Sequence, residues 1–85
     1  ALTRSLARAL GPKGVRVNAV SPGITETALI GNYTEEQRTN MTQRFPLGRF
    51  AQPAEIAEAG LYLISDKASF MTGEIMHVNG GSNFG

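Results

Sequence analysis

The sequence predicts an α/β chain, ordered helix, strand, short helices, long helix, strand, and three observations carry the prediction. Leu2, Leu6, Ala9 and Leu10 recur at helical spacing and stop at Gly11-Pro12-Lys13-Gly14. Val15, Val17 and Ala19 then alternate with Arg16 and Asn18, a β pattern that runs into Pro22-Gly23. Ile56, Ala59, Gly60, Leu63 and Ile64 form a second helical stripe, followed by the short run Glu74–Val78 and the turn signal Asn79-Gly80-Gly81. A helix, a tight turn and a strand make half of a βαβ unit, which needs a preceding parallel strand to pair with.

The bulk numbers bound the function. Eighty-five residues are one domain at most, with a core that is marginal for its size. Eight basic and seven acidic residues leave a net charge of +1, and the cations are scattered from Arg4 to Lys67. Neither nucleic acid nor an anionic membrane is an expected partner of such a surface. There is no cysteine, so disulfides, thiolate catalysis and cysteine-held zinc are excluded. A cytoplasmic location fits that composition. No apolar run approaches the length of a bilayer span. The chain opens Ala1-Leu2-Thr3-Arg4, already in helical pattern, with no initiator Met and no capping residue. A fragment or a cleaved chain is the expectation from that opening.

Between the first strand and the second long helix the pattern weakens. Glu26–Ile30 reads as a short helical turn, broken at Gly31-Asn32. Thr34 with Gln37 three residues on is a capping-box signature, opening a helix through about Arg44 with Met41 and Phe45 among its few apolar positions. Pro46 and Gly48 stop it. The segment reads either as a substrate-facing lid or as an ordered surface connection. Pro53 at the first helical position and Glu55 in the first turn open the long helix.

The chemistry available is limited. His77 is the only histidine, and with no cysteine the carboxylate spacing offers no metal site. A structural strand position is its expected role. Tyr33 and Tyr62 lack a lysine four residues on, since Gln37 and Asp66 stand there. No phosphate-cradling glycine loop is present. What remains is the corner from Pro22 to Thr27. Pro22 cannot donate to a ladder, so the strand stops there and frees backbone groups beside the hydroxyls of Thr25 and Thr27. Ligands of open α/β sheets bind beyond the carboxyl ends of strands, which makes this corner the candidate ligand contact.

Several runs together resemble the short-chain dehydrogenase/reductases: Leu2–Ala7, Val15–Gly23, Pro46–Phe50, Pro53–Ala57, Ser69–Glu74 and Val78–Gly81. The resemblance covers essentially the whole chain, and the 3-oxoacyl-acyl-carrier-protein reductases look most similar. It implies the C-terminal portion of a Rossmann-type, doubly wound parallel sheet, with residues 1–85 part of a single domain and 24–50 its substrate-loop region. It implies hydride transfer between a nicotinamide cofactor, NADP ahead of NAD, and a ketone or alcohol such as a 3-oxoacyl thioester. The family's Tyr-x-x-x-Lys pair is not in this sequence, so no catalytic residue is assigned and the chain is expected to be inactive alone.

The cofactor contacts that carry over are Pro22, Gly23, the backbone of Ile24 and Thr25, and the hydroxyl of Thr27, which matches the family's carboxamide- or phosphate-binding Thr. Thr25 departs from the aliphatic residue common in the similar subgroup. Met41 and Phe45 are the implied substrate-loop contacts. The implied partners are an N-terminal part of the same protein and further copies of it, usually in a tetramer, with Leu61, Tyr62, Met76 and His77 at an interface. The alternative is a truncated, non-catalytic homologue that serves assembly.

Overall fold

A computed structural model describes residues 1–82. The first helix, α1 (Leu2–Leu10), contains neither Gly nor Pro and ends where Gly11-Pro12-Lys13 tighten into a 3-10 turn. Gly14 closes that turn at φ 77°, in the left-handed region, with its N–H on the Gly11 carbonyl at 2.9 Å. The face of α1 that packs within the described residues is centred on Ala7 rather than on the leucine stripe. Ala7 is 7% exposed whereas Leu2 is 73% exposed. The reason is close approach: a Cβ on Gly73 would stand 3.5 Å from the Ala7 Cβ, so two minimal side chains let helix and loop meet. Leu2 and Leu6 face away.

Strand β1 spans Ala19–Pro22, shorter than the alternating run that begins at Val15. It pairs in parallel with β2 (Ile75–Val78), Ala19 opposite Ile75 and Pro22 opposite Val78. The residues before β1 are held by other means. Val17 donates its N–H to Thr72 Oγ1 at 3.0 Å and accepts from Gly73 N–H at 2.7 Å. Asn18 donates from Nδ2 to the Met71 carbonyl and accepts from Glu74 N–H through Oδ1. Side-chain clamps thus continue the pairing backwards along residues 71–74 where the ladder itself does not run.

Parallel strands require a long crossover. Here it carries α2 (Ala28–Gly31), α3 (Glu35–Thr42) and α4 (Pro53–Ile64). The expected capping box of α3 is present: Thr34 Oγ1 accepts from Gln37 N–H and Gln37 Oε1 accepts from Thr34 N–H. α4 lies across both strands. Leu63 is its buried residue, with Ile56, Ala59 and Gly60 half-buried beside it. Ile64, expected in the same stripe, is 76% exposed. It belongs with Leu61 on the far side of a helix that is apolar over more than one face, the pattern of helices buried on two sides.

Among the described residues the buried apolar ones are Ala7, Ile30, Phe50, Leu63 and Ala68. The radius of gyration is 15.8 Å, where a compact domain of this length has about 12 Å. Among the described residues no helix is long and apolar enough to cross a membrane.

Candidate functional site

Pro22 ends β1, and the last bond to β2 is Gly23 N–H to the Val78 carbonyl at 2.9 Å. The chain then turns past Asn79 so closely that a Cβ on Gly23 would sit 2.7 Å from the Asn79 Cα. Only glycine fits there, because the obstacle is backbone. Two residues on, the chain makes a single parallel bridge, Thr25 opposite Ala51. Ala51 donates its N–H to the Ile24 carbonyl at 3.0 Å, and Glu26 donates its N–H to the Ala51 carbonyl at 2.8 Å.

That bridge decides which backbone groups stay free. In parallel pairing the residue opposite the bonded one directs its own N–H and C=O the other way. Thr25 is that residue, and among the described residues neither its N–H nor its C=O has a partner. The Ile24 carbonyl, by contrast, is taken by Ala51. The Thr25 hydroxyl donates back to the Gly23 carbonyl at 3.1 Å, which stiffens the turn. Thr27 is exposed at the start of α2, and its side chain makes no capping bond there. The corner therefore offers a backbone donor and acceptor side by side on Thr25, with a free hydroxyl two residues on. A primary amide, which carries both a donor and an acceptor, is the group such a pair complements.

A cavity of about 80 Å³ lies on the other side of the corner, lined by Gly23, Ile24, Phe45, Leu47, Arg49 and Asn79 among others. It brings Phe45 to the corner residues. Pro22, Thr25 and Thr27 do not line it, and Met41 is half-buried on α3 outside it. His77 is exposed on β2. Among the described residues no cluster of three or more His, Asp and Glu side chains could hold a metal ion.

Two arginines fasten the loop around the corner, and neither was legible in the spacing. Arg49 forks onto Glu55, Nη1 to Oε1 and Nη2 to Oε2 both at 2.8 Å, and also donates to the Phe50 carbonyl. Glu55 in turn accepts the Gln52 N–H at 2.8 Å in the capping box of α4. These bonds bracket Ala51 from both sides. The fork, followed by the Gln52 N–H, pulls the Glu55 carboxyl down to about 2, and the same fork raises Arg49. Arg38 of α3 donates to the Glu26 carboxylate and to the Ile30 carbonyl, and lies 5.0 Å over the Phe50 ring. Phe45 meets that ring edge-on at 6.1 Å.

The Glu55 pair predicts a pH dependence. A folded pKa of about 2, below the ordinary 4.5, means stability that is present above about pH 4.5 and is lost as pH falls toward 2. Both side chains are largely solvated, so the effect is modest and screened by salt. Urea midpoints measured between pH 5 and pH 2.5 should fall less steeply in Glu55→Gln than in the parent.

Parallel strands, a helical crossover laid on them and a corner at their carboxyl ends make this part of an open, Rossmann-like α/β fold. The comparisons with known proteins carry the identification further. A family model described as enoyl-(acyl carrier protein) reductase matches residues 1–83. The chain is 45% identical over 78 residues to an uncharacterized oxidoreductase, YmfI, of Bacillus subtilis, covering 92% of this chain and 32% of that protein. It is 48% identical over 79 residues to the 3-oxoacyl-[acyl-carrier-protein] reductase FabG of Aquifex aeolicus, covering 93% of this chain and 32% of that one. It is also 48% identical over 81 residues to a 3alpha-hydroxysteroid dehydrogenase of Mediterraneibacter gnavus, covering 95% and 32%. The chain belongs to the short-chain dehydrogenase/reductase family, and it spans about a third of the length of the curated relatives it matches.

Proposed function

We propose that this chain is the C-terminal part of an NAD(P)-dependent reductase in which the Pro22–Thr27 corner holds the nicotinamide end of the cofactor. The observation that carries the reading is the unpaired N–H and C=O of Thr25, turned outward by the bridge to Ala51. Thr25 would bind the carboxamide as donor and acceptor, and the Thr27 hydroxyl would add a third bond to the carboxamide or a phosphate. Pro22 and Gly23 form the wall: the one ends the strand, and the other lets the corner sit against Asn79. Bound NAD(P)H supplies the reducing equivalent, and its orientation at a fixed corner is this chain's contribution.

The substrate class is a ketone, with 3-oxoacyl thioesters first, since several of the similar proteins carry that name. Residues 24–50 would form its loop region, with Met41 and Phe45 as its apolar contacts, Phe45 sharing a cavity lining with Gly23 and Ile24. The proton donor, a Tyr with a Lys four residues on, belongs to sequence outside these 85 residues, supplied by the same protein. The exposed leucines of α1 and the outward Leu61 and Ile64 of α4 fit burial against that part and against further copies, a tetramer being the first expectation. The rival reading, a non-catalytic assembly piece, draws on the same exposed faces. A cytoplasmic location accompanies the proposal.

The test is an assay of acetoacetyl-coenzyme A reduction with NADPH and with NADH, using the complete chain that carries this segment. Turnover in the parent supports the reading. In Thr27→Ala the cofactor Kd should rise about tenfold, the worth of a well-placed hydrogen bond. No nicotinamide turnover or cofactor binding in the parent contradicts it and favours the assembly role.

A further inference from the structure

α3 is a polar helix with no buried residue, and its one apolar side chain, Met41, is only half-buried, so apolar packing gives it little hold. What reaches from it across three segments is Arg38. Its guanidinium donates to Glu26 on the strand exit, donates to the Ile30 carbonyl on α2 at 3.1 Å, and covers the Phe50 ring that precedes α4. Phe50 is among the few buried residues and is itself gripped edge-on by Phe45, so the arginine rests on a fixed platform. Glu26 sits between Thr25 and Thr27, and its N–H makes one of the two bonds that hold Ala51. Its second carboxylate oxygen is buried without a partner in the described structure, so the carboxylate has a single anchor in Arg38.

We propose that Arg38 is a latch that fastens helix α3 to the corner through Glu26, so that the position of the loop helix and the order of the Thr25–Thr27 backbone are set together. The geometry favours a planar fork over a point charge, because one cation must serve a carboxylate, a carbonyl and a ring face at once. The proposal rests on the cofactor reading of the corner for its functional meaning, while the fastening itself concerns this chain's own residues.

The test is amide hydrogen exchange on the complete chain, in the parent and in Arg38→Met, Arg38→Lys, Glu26→Gln and the double variant Glu26→Gln/Arg38→Met, with and without saturating NADPH or NADH. Arg38→Met should speed exchange across residues 35–42 about tenfold, and Arg38→Lys should lie between it and the parent. The double variant should match Arg38→Met, because both changes cut the same bond. In the parent, the cofactor should slow exchange over both 22–27 and 35–42, and in Arg38→Met over 22–27 alone. Unchanged exchange over 35–42 in Arg38→Met, or protection of 35–42 that survives the loss of Arg38, overturns the latch and leaves the corner reading standing. Cofactor protection of neither stretch in the parent overturns the corner reading and the coupling built on it.

Discussion

Gly23→Ala is expected to destabilise the fold by about 2–3 kcal/mol, the cost of forcing an extra carbon into packed backbone. The new Cβ would lie 2.7 Å from the Asn79 Cα, 3.0 Å from its Cβ and 3.2 Å from its carbonyl oxygen. None of these is the free end of a flexible side chain. Relief requires the Pro22–Gly23 corner and the Asn79–Gly81 turn to move apart, which breaks the Gly23 N–H bond to Val78 at the end of the parallel pair. The same movement reaches Ile24 and Thr25, so cofactor affinity should fall along with stability. Equilibrium unfolding in urea and a cofactor titration on the same variant check both parts. Gly60→Ala is the control: a Cβ there meets nothing within 4 Å, and an alanine inside α4 should leave stability unchanged or raise it slightly.

Arg16→Met should cost about 2 kcal/mol, in the range for charge-assisted hydrogen bonds whose acceptors are left without a partner. Arg16 sits in the alternating run before β1, where spacing marks it only as a polar alternate of Val15 and Val17. Its guanidinium instead donates to the Leu63 carbonyl at 2.8 Å, the Ser65 carbonyl at 3.3 Å and the Met71 carbonyl at 3.4 Å. The first two belong to the C-terminal end of α4, where carbonyls lack intrahelical partners and a cation is favoured by the helix dipole. One side chain thus ties α4, the loop after it and the run into β1. Arg16→Lys should recover only part of the loss, since an ammonium cannot span three carbonyls in a fixed plane. Thermal unfolding of the three proteins provides the comparison.

Local chemistry explains what could be read in the sequence. Pro22 stops a ladder wherever it stands, and β1 ends on it. Thr34 and Gln37 satisfy each other three residues apart, and Pro53 opens α4 with Glu55 in its first turn. The half βαβ unit called for a parallel partner preceding β1, whereas the partner in the structure is β2, which follows it; a parallel sheet was implied by the family resemblance alone. The reading that needed correction concerns the stripe of α4. Periodicity tells which apolar residues share a side of a helix, not which side a neighbour covers. Leu2 and Leu6 were grouped correctly and yet point outward, because the Ala7–Gly73 contact decides the orientation of α1. Ile64 fell outside the packed stripe of α4 because the sheet covers only one of its apolar faces.

The parts of the site that spacing could not reveal are long-range. Arg16 bonds residues 47 to 55 positions away, and the Asn18 contacts span 53 and 56 positions. The bridge from Thr25 to Ala51 joins the corner to the entry of α4 across the whole loop region, and it distinguishes the free Thr25 groups from the occupied Ile24 carbonyl. Nothing within five residues of Thr25 signals that pairing. Phe45 and Met41 looked equivalent as the few apolar positions of a polar helix. The turn after Thr42 carries Phe45 to the corner cavity and leaves Met41 behind.

The most direct measurement compares cofactor and truncated cofactor on the parent and on Thr27→Ala. Kd values are taken by titration calorimetry for NAD(P)H and for the matching ADP-ribose, which lacks the nicotinamide ring and its carboxamide. If the corner holds the nicotinamide end, Thr27→Ala weakens NAD(P)H about tenfold and leaves ADP-ribose within a factor of two. Equal weakening of both moves the Thr27 bond to a phosphate. An unchanged Kd for both ligands contradicts the assignment of the Pro22–Thr27 corner.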